Sequence, residues 1–214
     1  MMEKLFIESY CKISDNRIVF DGNTIFEGKK EDNFGVFIKE AYRNLNVNYL
    51  KFFKMDNLSK LGFIAAEILM KEKLGSSLFK SEEISIILSN SSSSLDTDEI
   101  FQETIKDKDN YFPSPSVFVY TLPNLMIGEI CIRHKITGEN TFFVFDEFNP
   151  DFIQNYVTGI FNSAKTKCCI TGWVELFRGN YEAILYLIKM EKDCIKTKEN
   201  SNFDADNLGK IWKN

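Results

Sequence analysis

The chain has 214 residues, of which 44% are hydrophobic and 27% charged, with a formal net charge of −5. This is an ordinary globular composition, long enough for one substantial core and short for two domains. Three things are disfavoured: nucleic-acid binding, which needs a clustered basic face; a membrane span, which needs about 18 consecutive apolar residues; and chemistry needing two imidazoles, because there is one histidine.

The chain opens on two predicted strands, residues 4–13 and 17–26, joined by polar turns, with Asp21-Gly22-Asn23 as a hairpin signal. Residues 28–50 show no decisive pattern. Over 57–73 the residues Leu58, Leu61, Ile64, Ala65, Ile68 and Leu69 recur at three and four, an amphipathic helix capped by Asp56 or Asn57. The run ISIIL, 84–88, is a nearly all-apolar strand of the kind buried on both faces. A polar loop, 89–94, follows, and Asp96 or Thr97 caps a short helix toward residue 105.

A second helical region spans 114–135, with Ser114 as the cap and Pro115 as the first helical residue. Pro123 lacks an N–H and cannot sit inside an unbroken helix, so a break is expected at 121–122, with Asn124 starting a new helix that Gly138 closes. Residues 141–145 form the next buried strand. Pro150 opens a helix running to residue 164, whose Phe152, Ile153, Tyr156, Val157, Ile160 and Phe161 make a broad apolar stripe. Strands at 167–177 and 181–190 meet at Arg178-Gly179-Asn180 as a hairpin. The order implies an α/β sheet with helices on both faces and an antiparallel end, one domain over 1–192. The polar segment 193–214 reads as a flexible tail or a tether for a partner, with Phe203, Leu208, Ile211 and Trp212 making a weak amphipathic turn or two.

Nucleotide-binding, serine-hydrolase and zinc-protease signatures are absent. Five cysteines, Cys11, Cys131, Cys168, Cys169 and Cys194, without CxxC spacing suit reduced thiols in a soluble, cytoplasmic protein. At most one of Cys168 and Cys169 is expected to face the core. The serines at 91–94 have no base beside them and read as loop. His134 falls in the last turn of its helix, where a partly charged imidazole meets the carbonyl end, a structural role. TGENTFFVFDEF, 137–148, is a strand that ends in a turn, where enzymes often present a nucleophile, yet it offers only Asp146 and Glu147. Neither a metal nor a cofactor is implied.

The segment FPSPSVFVYTLPNLMIGEICIRHKITG, 112–138, resembles the β-ketoacyl-acyl-carrier-protein synthase pattern SPxxFxxTLxNxxxGxIxIxxxxxG through Ser114, Pro115, Phe118, Thr121, Leu122, Asn124, Gly128, Ile130, Ile132 and Gly138. Lys54-Met55-Asp56 and the run ISIILSNSSSSLDTDEIF are similar to the preceding parts of that family. The likeness extends over 1–190, strongest in the centre and weakest in the first 50 residues. It implies one half of a thiolase-type fold, with a mixed five-stranded sheet. Two departures matter. Where active members carry a nucleophilic cysteine at a helix start, the count from Gly138 falls on or beside Glu147, which forms no thioester. Family members also have two halves, and the second supplies the catalytic histidines.

A half without nucleophile or histidines resembles the chain-length factors, the non-catalytic partners of ketosynthases in type II polyketide systems, especially the short ones of aryl-polyene and flexirubin-like clusters. The resemblance implies partnership with a full-length ketosynthase and an acyl carrier protein, or a homodimer when isolated. The dimer joint would be Thr141, Phe142, Phe143, Val144 and Phe145 with Asn124, Leu125 and Ile130, while Phe118, Leu122, Met126 and Ile127 would line the acyl site and limit chain length by volume. The alternative for each is a place in the monomer core. Two other functions stay open: an acyl-transfer enzyme using Cys131 or Cys169, and a stand-alone acyl- or carrier-binding homodimer.

Overall fold

The computed structural model describes residues 4–73, 79–109, 111–163, 165–194 and 200–213. The strands are β1 (Leu5–Ser14), β2 (Arg17–Phe20), β3 (Asn23–Glu27), β4 (Ile84–Asn90), β5 (Asn140–Val144), β6 (Cys168–Phe177), β7 (Asn180–Met190) and β8 (Ser201–Asn202). They form one mixed sheet in the order β3-β2-β1-β7-β6-β4-β5, with β8 paired to β1. β4 runs parallel to both β5 and β6, whereas β6, β7, β1 and β2 are successively antiparallel. The sheet therefore has eight strands, against the five that the resemblance implies and the six read along the chain. The difference arises because 17–26 folds into two strands about Asp21 and Gly22, both with positive φ, and because β8 joins the outer side of β1.

Helices cover both faces. α1 (Phe34–Asn44), α2 (Asn57–Lys73) and α5 (Leu125–His134) pack on one, where Phe37, Ile38, Leu61, Ile64, Ile127, Cys168 and Ile170 share a core. α6 (Pro150–Ser163) and α7 (Ala205–Lys213) pack on the other with Val157, Cys169, Trp173, Tyr186 and Leu208. Every residue of β4 is buried, as its apolar run requires. Cys168 and Cys169 alternate across β6, and because both faces are core, both are buried; the expectation that one would face away does not hold.

Asp56 begins α2 by accepting a hydrogen bond from the Ser59 N–H at 3.0 Å. The break before α5 is present: α4 (Pro115–Phe118) and a 3₁₀ turn through Thr121 meet α5 at a 98° bend. No single helix among the described residues is long and apolar enough to cross a membrane. Ser89 and Asn90 complete β4 rather than opening the loop, and α3 (Leu95–Glu103) starts just after Ser94. Thr97, a candidate cap in the sequence, instead donates its hydroxyl to Asp56 at 2.9 Å and ties α3 to α2.

The structure differs from expectation at the end of the chain. Phe203 and Leu208 are buried, Tyr186 Oη donates to the Leu208 carbonyl at 2.9 Å, and Lys12 Nζ donates to the Trp212 carbonyl at 2.9 Å. Residues 200–213 are docked on the sheet and are not a flexible tail; residues 195–199 lie outside the described ones. α5 is closed by Lys135 at φ 56°, not by Gly138. Gly138 has another task, since a Cβ there would stand 2.2 Å from the Ile84 carbonyl oxygen. Gly138→Ala should therefore force the backbone at the start of β4 apart and cost about 2 kcal/mol or more. Gly159→Ala, in α6 with nothing within 4 Å of its new methyl, should raise stability by about 0.5–1 kcal/mol. Paired thermal melts of the two variants check both signs.

Candidate functional site

The strand that raised the question of a nucleophile is β5, and it ends one side of the sheet. It is half-buried, not the buried strand expected, and Val144 is 52% exposed. Its inner bonds fix its orientation: the Ile86 N–H donates to the Glu139 carbonyl at 2.9 Å, and the Phe145 N–H donates to the Asn90 carbonyl at 2.9 Å. Odd-numbered backbone groups thus face β4, and by strand alternation Asn140, Phe142 and Val144 direct N–H and C=O to the open edge. The side chains anchor the strand from both sides. Phe142 packs against the core under α2 and α5, while Phe143 and Phe145 meet Phe152 and Tyr156 of α6 with ring centroids 4.8 to 4.9 Å apart. Thr141 Oγ1 lies 3.3 Å from Tyr156 Oη.

Asp146 and Glu147 follow in an exposed bend, and α6 starts at Pro150 with Asn149 Oδ1 accepting from the Phe152 N–H at 2.9 Å. Glu147 therefore stands in the turn that joins an edge strand to a helix start. Phe148 turns inward against Trp173 and Trp212.

The residues around the bend before α5 divide into two groups. Phe118 is 57% exposed and Leu122 is 55% exposed; Asn124 is exposed and Leu125 is half-buried. Met126, Ile127 and Ile130 are buried against α2, and a Cβ on Gly62 would stand 2.1 Å from Met126 Sδ. For these three the monomer-core alternative describes what they touch. Phe112 and Val119 of the same segment are exposed as well.

The thiols are poorly placed for acyl transfer. Burial pushes the Cys169 thiol well above its ordinary range and also raises Cys131. Cys169 is fully buried between β4 and β7. His134 lies with Nε2 3.0 Å from Glu67 Oε2, while Arg133 clasps the same carboxylate at 2.7 and 3.1 Å and stacks over Tyr49. Burial alone would raise Glu67, but the hydrogen bonds from His134 and Arg133 outweigh it and hold its carboxyl at about 2. Sequence reading missed this clasp between α2 and α5; its only local trace is a glutamate inside the apolar period of 57–73. Near it, Tyr120 donates to Glu129 at 2.9 Å, and Lys51 lies 2.8 Å from the other Glu129 oxygen.

No protein-family model matches the chain, and no curated protein matches it. Solved structures do. The ishigamide ketosynthase/chain length factor superposes with TM-score 0.67 at 14% identity, over 88% of this chain and 63% of that one. The ketosynthase (ApeO) in complex with its chain length factor (ApeC) from Xenorhabdus doucetiae gives TM-score 0.57 at 11% identity, covering 87% of this chain and 79% of the other. AntDE:AntF, a type II polyketide synthase acyl-carrier protein in complex with its ketosynthase, gives TM-score 0.58 at 11% identity, with coverages of 90% and 65%. The chain has the thiolase-like fold of ketosynthase and chain length factor structures. It spans less than two thirds of the ishigamide chain's length.

Glu67 is depressed in the folded state, so the stability it contributes is present above its unfolded value near 4.5 and is lost as pH falls toward 2. Acid unfolding should accordingly be less steep between those limits in Glu67→Gln. That variant should also lose about 1–2 kcal/mol at neutral pH, because Arg133 and His134 lose their shared carboxylate. Urea melts across the acid range measure both.

Proposed function

We propose that this chain is a catalytically silent, ketosynthase-like subunit of the chain-length-factor type, which joins a full-length β-ketoacyl synthase through the open edge of β5 and serves acyl-carrier-bound chains in fatty-acid or polyketide synthesis. One observation carries the reading. The turn between β5 and α6, where the sequence resemblance locates the nucleophile, presents the exposed carboxylate of Glu147. A carboxylate there holds no acyl group as a thioester, and the one histidine is engaged with Glu67.

The edge supports the partnership. An open row of N–H and C=O groups flanked by Phe142 and the exposed Val144 is a template for another strand. Near the bend, Phe118 and Leu122 offer apolar side chains that the chain itself does not cover, suited to meeting a partner or closing the end of its acyl channel. The carrier protein would meet the chain on the surface of the 3₁₀ turn Leu50–Lys54, where Leu50 is 80% exposed and Lys51 and Lys54 follow it.

A homodimer of the isolated chain is the second reading, favoured by the symmetry of the edge: antiparallel pairing centred on Phe142 sets Asn140 opposite Val144 of a second copy. An enzyme relying on Cys131 or Cys169 gains no support, since both thiols are held protonated by burial.

Co-expression with the cognate ketosynthase tests the proposal. A stable heterodimer with condensing activity is expected, and this chain alone should retain no label from a radiolabelled acyl carrier protein. Val144→Pro removes an outward N–H and an exposed side chain without touching the bonds to β4. It should weaken the heterodimer at least about tenfold while leaving the melt of the isolated chain close to wild type. Undiminished assembly of Val144→Pro, or label retained on this chain alone, contradicts the proposal.

A further inference from the structure

A cavity of about 200 Å³ opens where the starts of α2, α3 and α4 converge, lined by Lys54, Asp56, Asn57, Lys60, Thr97 and Ser116 among others. We propose that it is a binding site for a small phosphate monoester, seated against Lys54 and Lys60. This goes beyond the subunit reading and does not depend on it.

The charge balance of the cavity makes the case. Among the described residues neither Lys54 nor Lys60 has a carboxylate within ion-pair distance, although Lys51, Arg133 and Lys167 do. The one acid in the wall, Asp56, is held by the Ser59 N–H at 3.0 Å and the Thr97 hydroxyl at 2.9 Å, and its charge offsets one of the two lysines. Lys60 is half-buried, so its ammonium has given up part of its hydration; the charge of Asp56, outside ion-pair distance, partly offsets this, and the nearby Lys39 adds a like charge. Two ammonium groups against one engaged carboxylate leave the site positive within a protein whose net charge is −5.

The other walls complete an oxyanion cradle. Asn57 and Ser116 add amide and hydroxyl donors, and Met55, Ile100 and Val117 form the apolar part of the wall. The volume, about 200 Å³, is of the size of a phosphate with a short pendant. A dianion matches the two lysines, so a monoanionic carboxylate should bind more weakly.

Isothermal titration of the full chain with inorganic phosphate and with acetate tests this, at ionic strength fixed with potassium chloride. Saturable 1:1 binding of phosphate is expected, with acetate weaker by roughly tenfold. Lys60→Met and Lys54→Met should each weaken phosphate at least about tenfold. Lys60→Arg should retain it, as should Lys106→Met, whose ammonium pairs with Glu103 elsewhere. Lys54 is exposed, so its variant reports on binding even if Lys60→Met fails to fold. The proposal is overturned by heat that does not saturate, by binding that vanishes at fixed ionic strength, or by Lys54→Met titrating like Lys106→Met.

Discussion

Burial of β4 on both faces is the constraint on which the remaining structure depends. Its seven residues are all buried, so the chain must supply helices to both sides of the sheet and a neighbour to both edges of that strand. β6 takes one edge, with Thr171 Oγ1 donating to the Ile87 carbonyl at 2.8 Å and Ser89 Oγ to the Gly172 carbonyl at 3.1 Å. The short β5 takes the other. The two helical layers follow, with α2 and α5 locked together by the Glu67 clasp on one side and α6 and α7 on the other.

The same constraint leaves the open edge at β5. A five-residue strand covers β4 and, among the described residues, no strand pairs with its other side. Its Phe143 and Phe145 are held by the rings of α6, while its outward backbone groups face no paired strand among the described residues. The turn that follows is equally well positioned by the Asn149 cap and the inward Phe148. A strand anchored by aromatic contacts, a capped helix start and an exposed glutamate between them are what the proposed reading takes for a nucleophile turn without its nucleophile. That combination is what a subunit would keep if its task were to pair with an active partner rather than to carry an acyl group.

Much of this framework is legible in the sequence because it is local. The period of 57–73, the break enforced by Pro123 and the hairpin at Arg178-Gly179 each depend on neighbours a few residues apart. α1 shows how such a signal can be passed over: Phe34, Phe37, Ile38, Ala41 and Tyr42 recur at three and four and are buried, and Asn33 caps the helix, but aromatic and β-branched residues there also suit a strand. α7 was hidden by the polar composition that precedes it. What sequence could not convey is long-range convergence. Glu67 meets Arg133 across 66 positions and Asp56 meets Thr97 across 41, and the lysine-lined cavity exists only once three helix starts are brought together.

Residue-resolved amide exchange of β5 tests the pairing claim most directly, in the isolated monomer and in the presence of the cognate ketosynthase. The Asn140, Phe142 and Val144 amides face outward and should exchange quickly alone, then become protected in the complex, while Thr141 and Phe143, bonded to β4, should be slow in both. Unchanged exchange at Asn140, Phe142 and Val144 in a complex that does form would show that the partner binds elsewhere, and would contradict β5 as the joint.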